Sequence, residues 1–204
     1  METKLNPVDD FDLTDSGRAI FNVIKATLQY PANPQVKGAK LADDILFFCE
    51  SAEEEPDPTY TGEELEEEFS KWKNFNSFVA RLTDTGFAPW LNLPIWQLRI
   101  ALEEPVVARP AMECRLWVAS EWILHCADPI YKDMKSTEQL DESTARALET
   151  GSLSEDVRPL SLERWAFWKK RFSEFAADSG CLKLDSVITG RMSDALKSMD
   201  AVEE

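Results

Sequence analysis

Prolines divide this chain into a series of stretches whose apolar residues recur at helical spacing. Eleven prolines lie among 204 residues, and proline ends or kinks a helix because it lacks a backbone N–H. Stretches such as 110–127 carry an apolar stripe at intervals of three and four residues, and no alternating pattern of useful length predicts a strand. The sequence therefore predicts an all-α fold, an irregular orthogonal bundle of seven or eight helices in a single domain, because helix lengths vary and prolines mark so many junctions.

Four segments of this 1–204 domain are expected to lie outside the packed bundle. They are an irregular N-terminus at 1–13, an acidic loop at 51–60, a polar and mobile segment at 135–157, and a frayed tail at 201–204. A capping box at Thr61-Gly62-Glu63-Glu64 predicts the start of a long helix that ends near Gly86.

Charge and cysteine content limit the partners that we expect. The formal net charge is −16, which repels nucleic acid and anionic membrane surfaces at long range. No apolar run is long enough to span a bilayer, and residues 1–4 open no signal peptide. The four cysteines are scattered without a Cys-x-x-Cys pair, which favours a reduced, cytoplasmic setting with no zinc site. We expect no metal, no cofactor, no nucleic acid and no membrane partner.

The single histidine restricts the catalytic chemistry that is available. Glu121 lies four residues before His125 and can hydrogen-bond its ring, and with Asp128 these residues share one helix face as an acid–base group. The alternative is a histidine packed near a helix C-terminus. Tyr131 and Glu103 complete the candidate catalytic residues.

The most distinctive stretch, 158–172, concentrates tryptophan, phenylalanine and basic residues on one predicted helix capped by Ser161. Its rings fall on one side, with Arg164 and Arg171 at an edge. They form either the wall of a ligand cavity in which Arg164 holds an anionic group, or a core whose basic edges meet the protein's own acidic helices. The candidate ligand-binding residues are Trp72, Arg99, Trp122, Arg164, Trp165 and Trp168.

Four stretches resemble, in their order, an uncharacterised fungal family catalogued as domain of unknown function 3632. They are Trp72–Leu82, Leu98–Glu103, Leu116–Ala119 with Trp122-Ile123, and Leu160–Phe172. The resemblance implies an intracellular helical protein of a filamentous fungus, and it implies no reaction. Arginines that recur in the family imply either buried Arg–carboxylate pairs between helices or an anion site. The recurring residues are Trp72, Arg81, Arg99, Glu103, Arg164, Trp165 and Trp168.

Two functions remain open from the sequence. The first is a small-molecule-handling protein of specialised metabolism, whose aromatic-lined cavity binds an apolar or anionic molecule and carries a cofactor-independent cyclase or isomerase step. The second is a non-enzymatic protein-interaction module, an adaptor with the aromatic residues as core, whose acidic surface or 135–157 segment recruits a partner. Spare aromatics such as Trp96 and Phe167 favour the cavity. The surroundings of Trp165 and Trp168 decide between the two, since a cavity needs a void of several hundred Å³ beside these rings.

Overall fold

The computed structural model describes residues 22–27, 31, 33, 36, 40, 63–86, 91–137 and 139–204. Contacts divide the chain into two compact units, 1–57 and 58–204. In the first unit, residues 22–27 are helical. The predicted irregular N-terminus at 1–13, the acidic loop at 51–60 and the cap at Thr61 lie outside the described residues.

The second unit consists of seven α-helices and one π-helix in its described part. No strand occurs among the described residues, so the predicted all-α class is confirmed for them. The elements are α1 (Glu63–Asp84), α2 (Asn92–Leu98), the π-helix (Arg99–Glu103), α3 (Arg109–Met134), α4 (Glu142–Ala147), α5 (Leu162–Ala177), α6 (Ser179–Leu182) and α7 (Ser186–Ala201).

Side-chain caps start three of these helices. Ser161 accepts a hydrogen bond from the backbone N–H of Arg164 at the start of α5, which confirms the predicted cap. Asp141 and Asp185 cap α4 and α7 in the same way. Each cap satisfies a backbone N–H that has no partner within its own helix, so these residues fix where the helices begin.

The central helix α3 continues beyond the end that its sequence predicts. The Asp128-Pro129 pair predicts a stop near Ala127, but the helix runs on to Met134 with Pro129 inside it. A proline cannot donate a backbone hydrogen bond. The helix therefore kinks at Cys126, where φ is −122° and ψ is 19°.

Helix α3 is buried over most of its length between α1, α7, α2 and α5. Asn76 and Ala80 of α1 bond successive turns of α3, so these two helices run in the same direction. Trp165 of α5 contacts Glu203, and Lys169 one turn later contacts Asp200, so α5 runs opposite to α7. The larger core side chains at 0% exposure include Leu98, Leu102, Leu116, Val118, Ile123, Ile130, Trp168, Phe172, Met192 and Met199.

Two segments that we predicted to be loose carry specific contacts. Within 135–157, the carbonyl oxygen of Ala147 accepts a hydrogen bond of 2.6 Å from the Trp96 indole, and Ser152 bonds the Glu104 carboxylate. In the tail 201–204, Glu203 accepts hydrogen bonds of 2.8 Å from Trp165 and Lys169 of α5. The second half of the polar segment is therefore tied to the helices, and so is Glu203.

Candidate functional site

A buried ion pair between α5 and the π-helix lies at the centre of the family-like residues. Arg164 Nε donates to Glu103 Oε1 at 2.6 Å, and Nη2 donates to Oε2 at 3.1 Å. Both side chains are 0% exposed. Two parallel bonds between a guanidinium and a carboxylate make this the strongest geometry that such a pair adopts.

The other guanidinium donors of Arg164 also go to the protein itself. Nη1 donates to the carbonyl oxygens of Leu148 and Pro159, each at 2.7 Å, and Nη2 donates to the carbonyl oxygen of Glu149 at 3.2 Å. An arginine carries five N–H donors, and all five are used here. Arg164 therefore fastens the end of the 135–157 segment to the bundle, and it has no donor left for an anionic ligand.

The carboxylate of Glu103 is as fully occupied as its partner. It accepts the indole N–H of Trp168 at 2.5 Å on Oε1 and the backbone N–H of Gly151 at 2.6 Å on Oε2. Each oxygen thus receives two hydrogen bonds, the number of its lone pairs. A Cβ at Gly151 would lie 2.7 Å from atoms of Glu103, so this close approach requires glycine.

The π-helix explains why sequence spacing misplaces Glu103. On a regular helix, Arg99 and Glu103 stand one turn apart, which predicts a surface ion pair. Instead, Arg99 donates to the carbonyl oxygen of Glu149 at 3.1 Å, and Glu103 turns into the core. A π-helix carries an additional residue in its turn, which shifts the residues that share a face.

The predicted aromatic row of α5 is part of the core. Trp165, Trp168, Phe172 and Phe175 are buried, as their spacing predicts, whereas Leu162 is 48% exposed because it begins the helix. The row is shielded on one side by the protein's own rings, since Tyr131 lies 5.2 Å from Trp165 between ring centroids.

The indole N–H groups of three buried tryptophans all bond to the protein itself. Trp165 donates to Glu203 and Trp168 to Glu103, while Trp122 donates to Asn76 at 2.9 Å. Trp72 is half-buried and stacks on the ring of the nearby Phe75. The three buried tryptophans therefore have the satisfied polar groups that are typical of core residues.

A second cluster of charged groups surrounds Glu121, where α1, α3 and α7 meet. Ser77 Oγ donates to Glu121 Oε1 at 2.5 Å, and Arg191 Nη2 donates to Oε2. His125 Nε2 lies 3.4 Å from Oε1, and Arg81 Nη2 lies 3.7 Å from it. The predicted approach of Glu121 to His125 is thus present, and two arginines and a serine that sequence spacing did not assign complete the cluster.

Electrostatics hold Glu121 in its charged form. Burial raises the pKa of this carboxyl, but the hydrogen bond from Ser77 and the charge of Arg191 lower it more, so the pKa lies below its usual value. An ionised carboxylate of low pKa is a weak base at neutral pH. Ser77 donates to the carboxylate rather than to His125, so the group lacks the nucleophile–base contact of a hydrolase.

The candidate catalytic residues thus fall in separate places. Glu121 and His125 lie together, Glu103 belongs to the Arg164 ion pair, and Tyr131 packs beside Trp165. Asp128 is bound to Lys132 at 2.7 Å, one turn away on the surface. The sequence analysis did not identify Ser77, Arg191 or Gly151. The only signal for Ser77 and Arg191 is that each lies one helical turn from another polar residue, and the only signal for Gly151 is that it is an isolated glycine.

Other features of the described chain add little to either cluster. A pocket of about 420 Å³ lies at the junction of α6 and α7, and none of its lining residues is aromatic: Ser179, Gly180, Lys183, Leu184, Ser186 and Thr189. No group of three or more His, Cys, Asp or Glu side chains in the described ranges is placed to hold a metal ion. Of the helices that the structure describes, none has the length and apolarity to cross a membrane.

Comparison with families of known proteins places the two clusters in context. A family model described as "Protein of unknown function (DUF3632)" matches residues 17–172, well over half of the chain. No curated protein and no solved structure matches. The matched range contains Glu103, Glu121, His125 and Arg164, whereas Arg191 lies beyond it.

Proposed function

This chain belongs to the DUF3632 family of proteins of unknown function, and we propose that it is a non-enzymatic protein-interaction module, an adaptor whose aromatic residues form its core. The observation that carries this proposal is the complete use of the five Arg164 donors by the protein itself. In a ligand pocket, some of these donors would form hydrogen bonds with the ligand and would therefore have no partner within the protein.

The tryptophans support the same proposal. A cavity for an apolar molecule would expose ring faces on one side, but Trp122, Trp165 and Trp168 are at most 2% exposed. Burying a ring of this size contributes about 1.5–3 kcal/mol to folding. Stability therefore accounts for these residues without a ligand.

The acidic surface is the part of the module that we propose recruits the partner. The segment 135–157 is the less suitable recruiter, because residues 147–151 are tied to α2, α5 and the π-helix. Helix α1 begins with five glutamates in six residues, 63–68, of which Glu66 and Glu67 are exposed. A run of one charge sign attracts a basic partner and raises its association rate.

The experiment is affinity capture of the tagged chain from its own organism, with cross-linking and identification of the captured protein. We expect a basic partner that is retained at about 0.05 M salt and lost at about 0.5 M, since salt screens exposed charges. The double variant Glu66→Lys/Glu67→Lys should lose that partner. The matched control Glu155→Lys/Asp156→Lys makes the same charge change at another exposed acidic pair and should keep it. Equal capture by both variants would contradict the assignment to α1.

Small-molecule handling is the second candidate function, because Glu121, His125 and two arginines converge at a partly exposed position. Mass spectrometry of the purified protein under non-denaturing conditions separates the candidates. The interaction module should have the mass of the polypeptide alone, whereas a bound metabolite would favour the second candidate. We propose the cytoplasm of a filamentous fungus as the setting, and specialised metabolism if the second candidate holds. The fungal origin rests on the sequence resemblance, and the cytoplasm rests on the scattered cysteines.

A further inference from the structure

Three helices bring cationic side chains to one carboxylate. Arg81 projects from α1, His125 from α3 and Arg191 from α7, and all three lie near the side chain of Glu121. Glu121 is 4% exposed, whereas Arg81 is 67% exposed. The carboxylate is thus the buried floor of the cluster, and the cations form its accessible rim.

The cluster carries an excess of positive charge. Two guanidinium groups face one ionised carboxylate, which leaves one net positive charge. Like charges repel, and the repulsion grows where protein excludes water. In a chain of net charge −16, this local excess offers an anion an attraction that most of the surface does not.

The two arginines have donors available for an incoming oxygen atom. Arg81 Nη2 is 3.7 Å from Glu121 Oε1, which is too long for a hydrogen bond. The exposed Arg81 guanidinium can therefore bind a ligand without breaking a hydrogen bond to Glu121. Arg191 Nε is buried and has no hydrogen-bond partner. This N–H is not committed to any group of the protein, so Arg191 has an unused donor while it keeps its bond to Glu121.

The cluster is also held in place before any ligand arrives. The Arg191 guanidinium lies 4.2 Å from the ring centroid of Trp117, a cation–π contact that fixes its plane. Ser77 fixes the Glu121 carboxylate with a bond of 2.5 Å. Such preorganisation reduces the entropy that binding costs.

We propose that Arg81, His125 and Arg191 form a binding site for a small molecule that carries one carboxylate or phosphate group. The guanidinium groups would each donate to the oxygen atoms of the anion, and His125 would donate a further hydrogen bond from the rim. The inference rests on the second candidate function, small-molecule handling, and deepens it by naming the chemical group through which the ligand binds.

The single histidine of the chain provides the assay. The ring signals of His125 are followed by NMR while inorganic phosphate or acetate is added at constant pH, with chloride at equal ionic strength as the salt control. We expect saturable shifts with phosphate, acetate or both, and none with chloride. The tighter of the two anions identifies the group that the ligand carries. Only linear shifts, equal to those in chloride, would overturn the proposal.

Variants locate the binding. Arg81→Gln removes the exposed cation without touching the buried Ser77–Glu121 contact, so the protein should fold normally and bind the anion about tenfold more weakly, as expected for the loss of a hydrogen bond to a charged group. Arg158→Gln is the matched control, since Arg158 is an exposed arginine outside the cluster. It should leave the affinity unchanged. Equal affinities in both variants and the natural protein would contradict the site, and this result is independent of the capture experiment with Glu66 and Glu67.

Discussion

Replacing Arg164 by lysine tests the hydrogen bonds of the buried guanidinium while the positive charge is kept. Lysine keeps the positive charge but offers three donors where arginine offers five. The acceptors around Arg164 are both oxygens of Glu103 and three carbonyl oxygens. At least two of these five bonds cannot be remade, and each buried acceptor left unpaired costs about 1–3 kcal/mol. We therefore expect Arg164→Lys to lower the free energy of unfolding by about 3 kcal/mol.

Urea unfolding followed by circular dichroism measures this loss. With a slope of about 2 kcal/mol per molar urea, the midpoint should fall by about 1.5 M. The control Arg158→Lys makes the same chemical change at an exposed position six residues earlier, and it should alter the free energy of unfolding by less than about 0.5 kcal/mol. If Arg164→Lys falls in the same range as this control, the guanidinium bonds are not what holds the segment before α5, and the reasoning is refuted.

Three further predictions follow from individual contacts. Gly151→Ala should lower the free energy of unfolding by about 1–3 kcal/mol, because the new Cβ would lie 2.7 Å from atoms of the π-helix. Gly190→Ala, with open space around it in α7, should raise the free energy of unfolding by about 0.5–1 kcal/mol. Thermal unfolding compares the two variants, and equal shifts of Tm would contradict the prediction. The pKa of Glu121 is lower in the folded than in the unfolded state, so its contribution to stability is present above about pH 4.3 and is lost as the pH falls further. Glu121→Gln should therefore flatten this part of the curve of unfolding free energy against pH. An unchanged slope would contradict the ion pairs of the Glu121 cluster. Burial raises the pKa of the Cys126 thiol to about 12, so iodoacetamide should label the exposed Cys181 in the native protein and reach Cys126 only after unfolding, as peptide mass mapping can show.

The sequence predicted those parts of the fold that depend on local pattern. The cap at Ser161 was readable because a polar residue precedes an apolar helical stretch. The buried row of α5 was readable from its spacing alone. The kink at Cys126 and the passage of α3 through Pro129 were not, because packing of α3 on its neighbours compensates for the lost hydrogen bond, and packing is not a local property.

The residues of the candidate site were predicted less completely for the same reason. Arg164 and Glu103 are 61 positions apart, and the change to a π-helix at Arg99 alters which side chains turn inwards. The family resemblance suggested buried Arg–carboxylate pairs, and the Arg164 pair is one. Arg191 joins the Glu121 cluster from a helix 70 positions away, and no spacing rule connects side chains at that distance.

The central claim is that Trp168 faces protein rather than a ligand cavity, and exchange of its indole N–H tests this most directly. This group is buried and donates to Glu103. Its exchange with D₂O, followed by NMR and assigned with Trp168→Phe, should proceed only as fast as global unfolding allows. Exchange of the Trp168 indole within minutes in the native protein, at a rate far above that of global unfolding, would contradict the account.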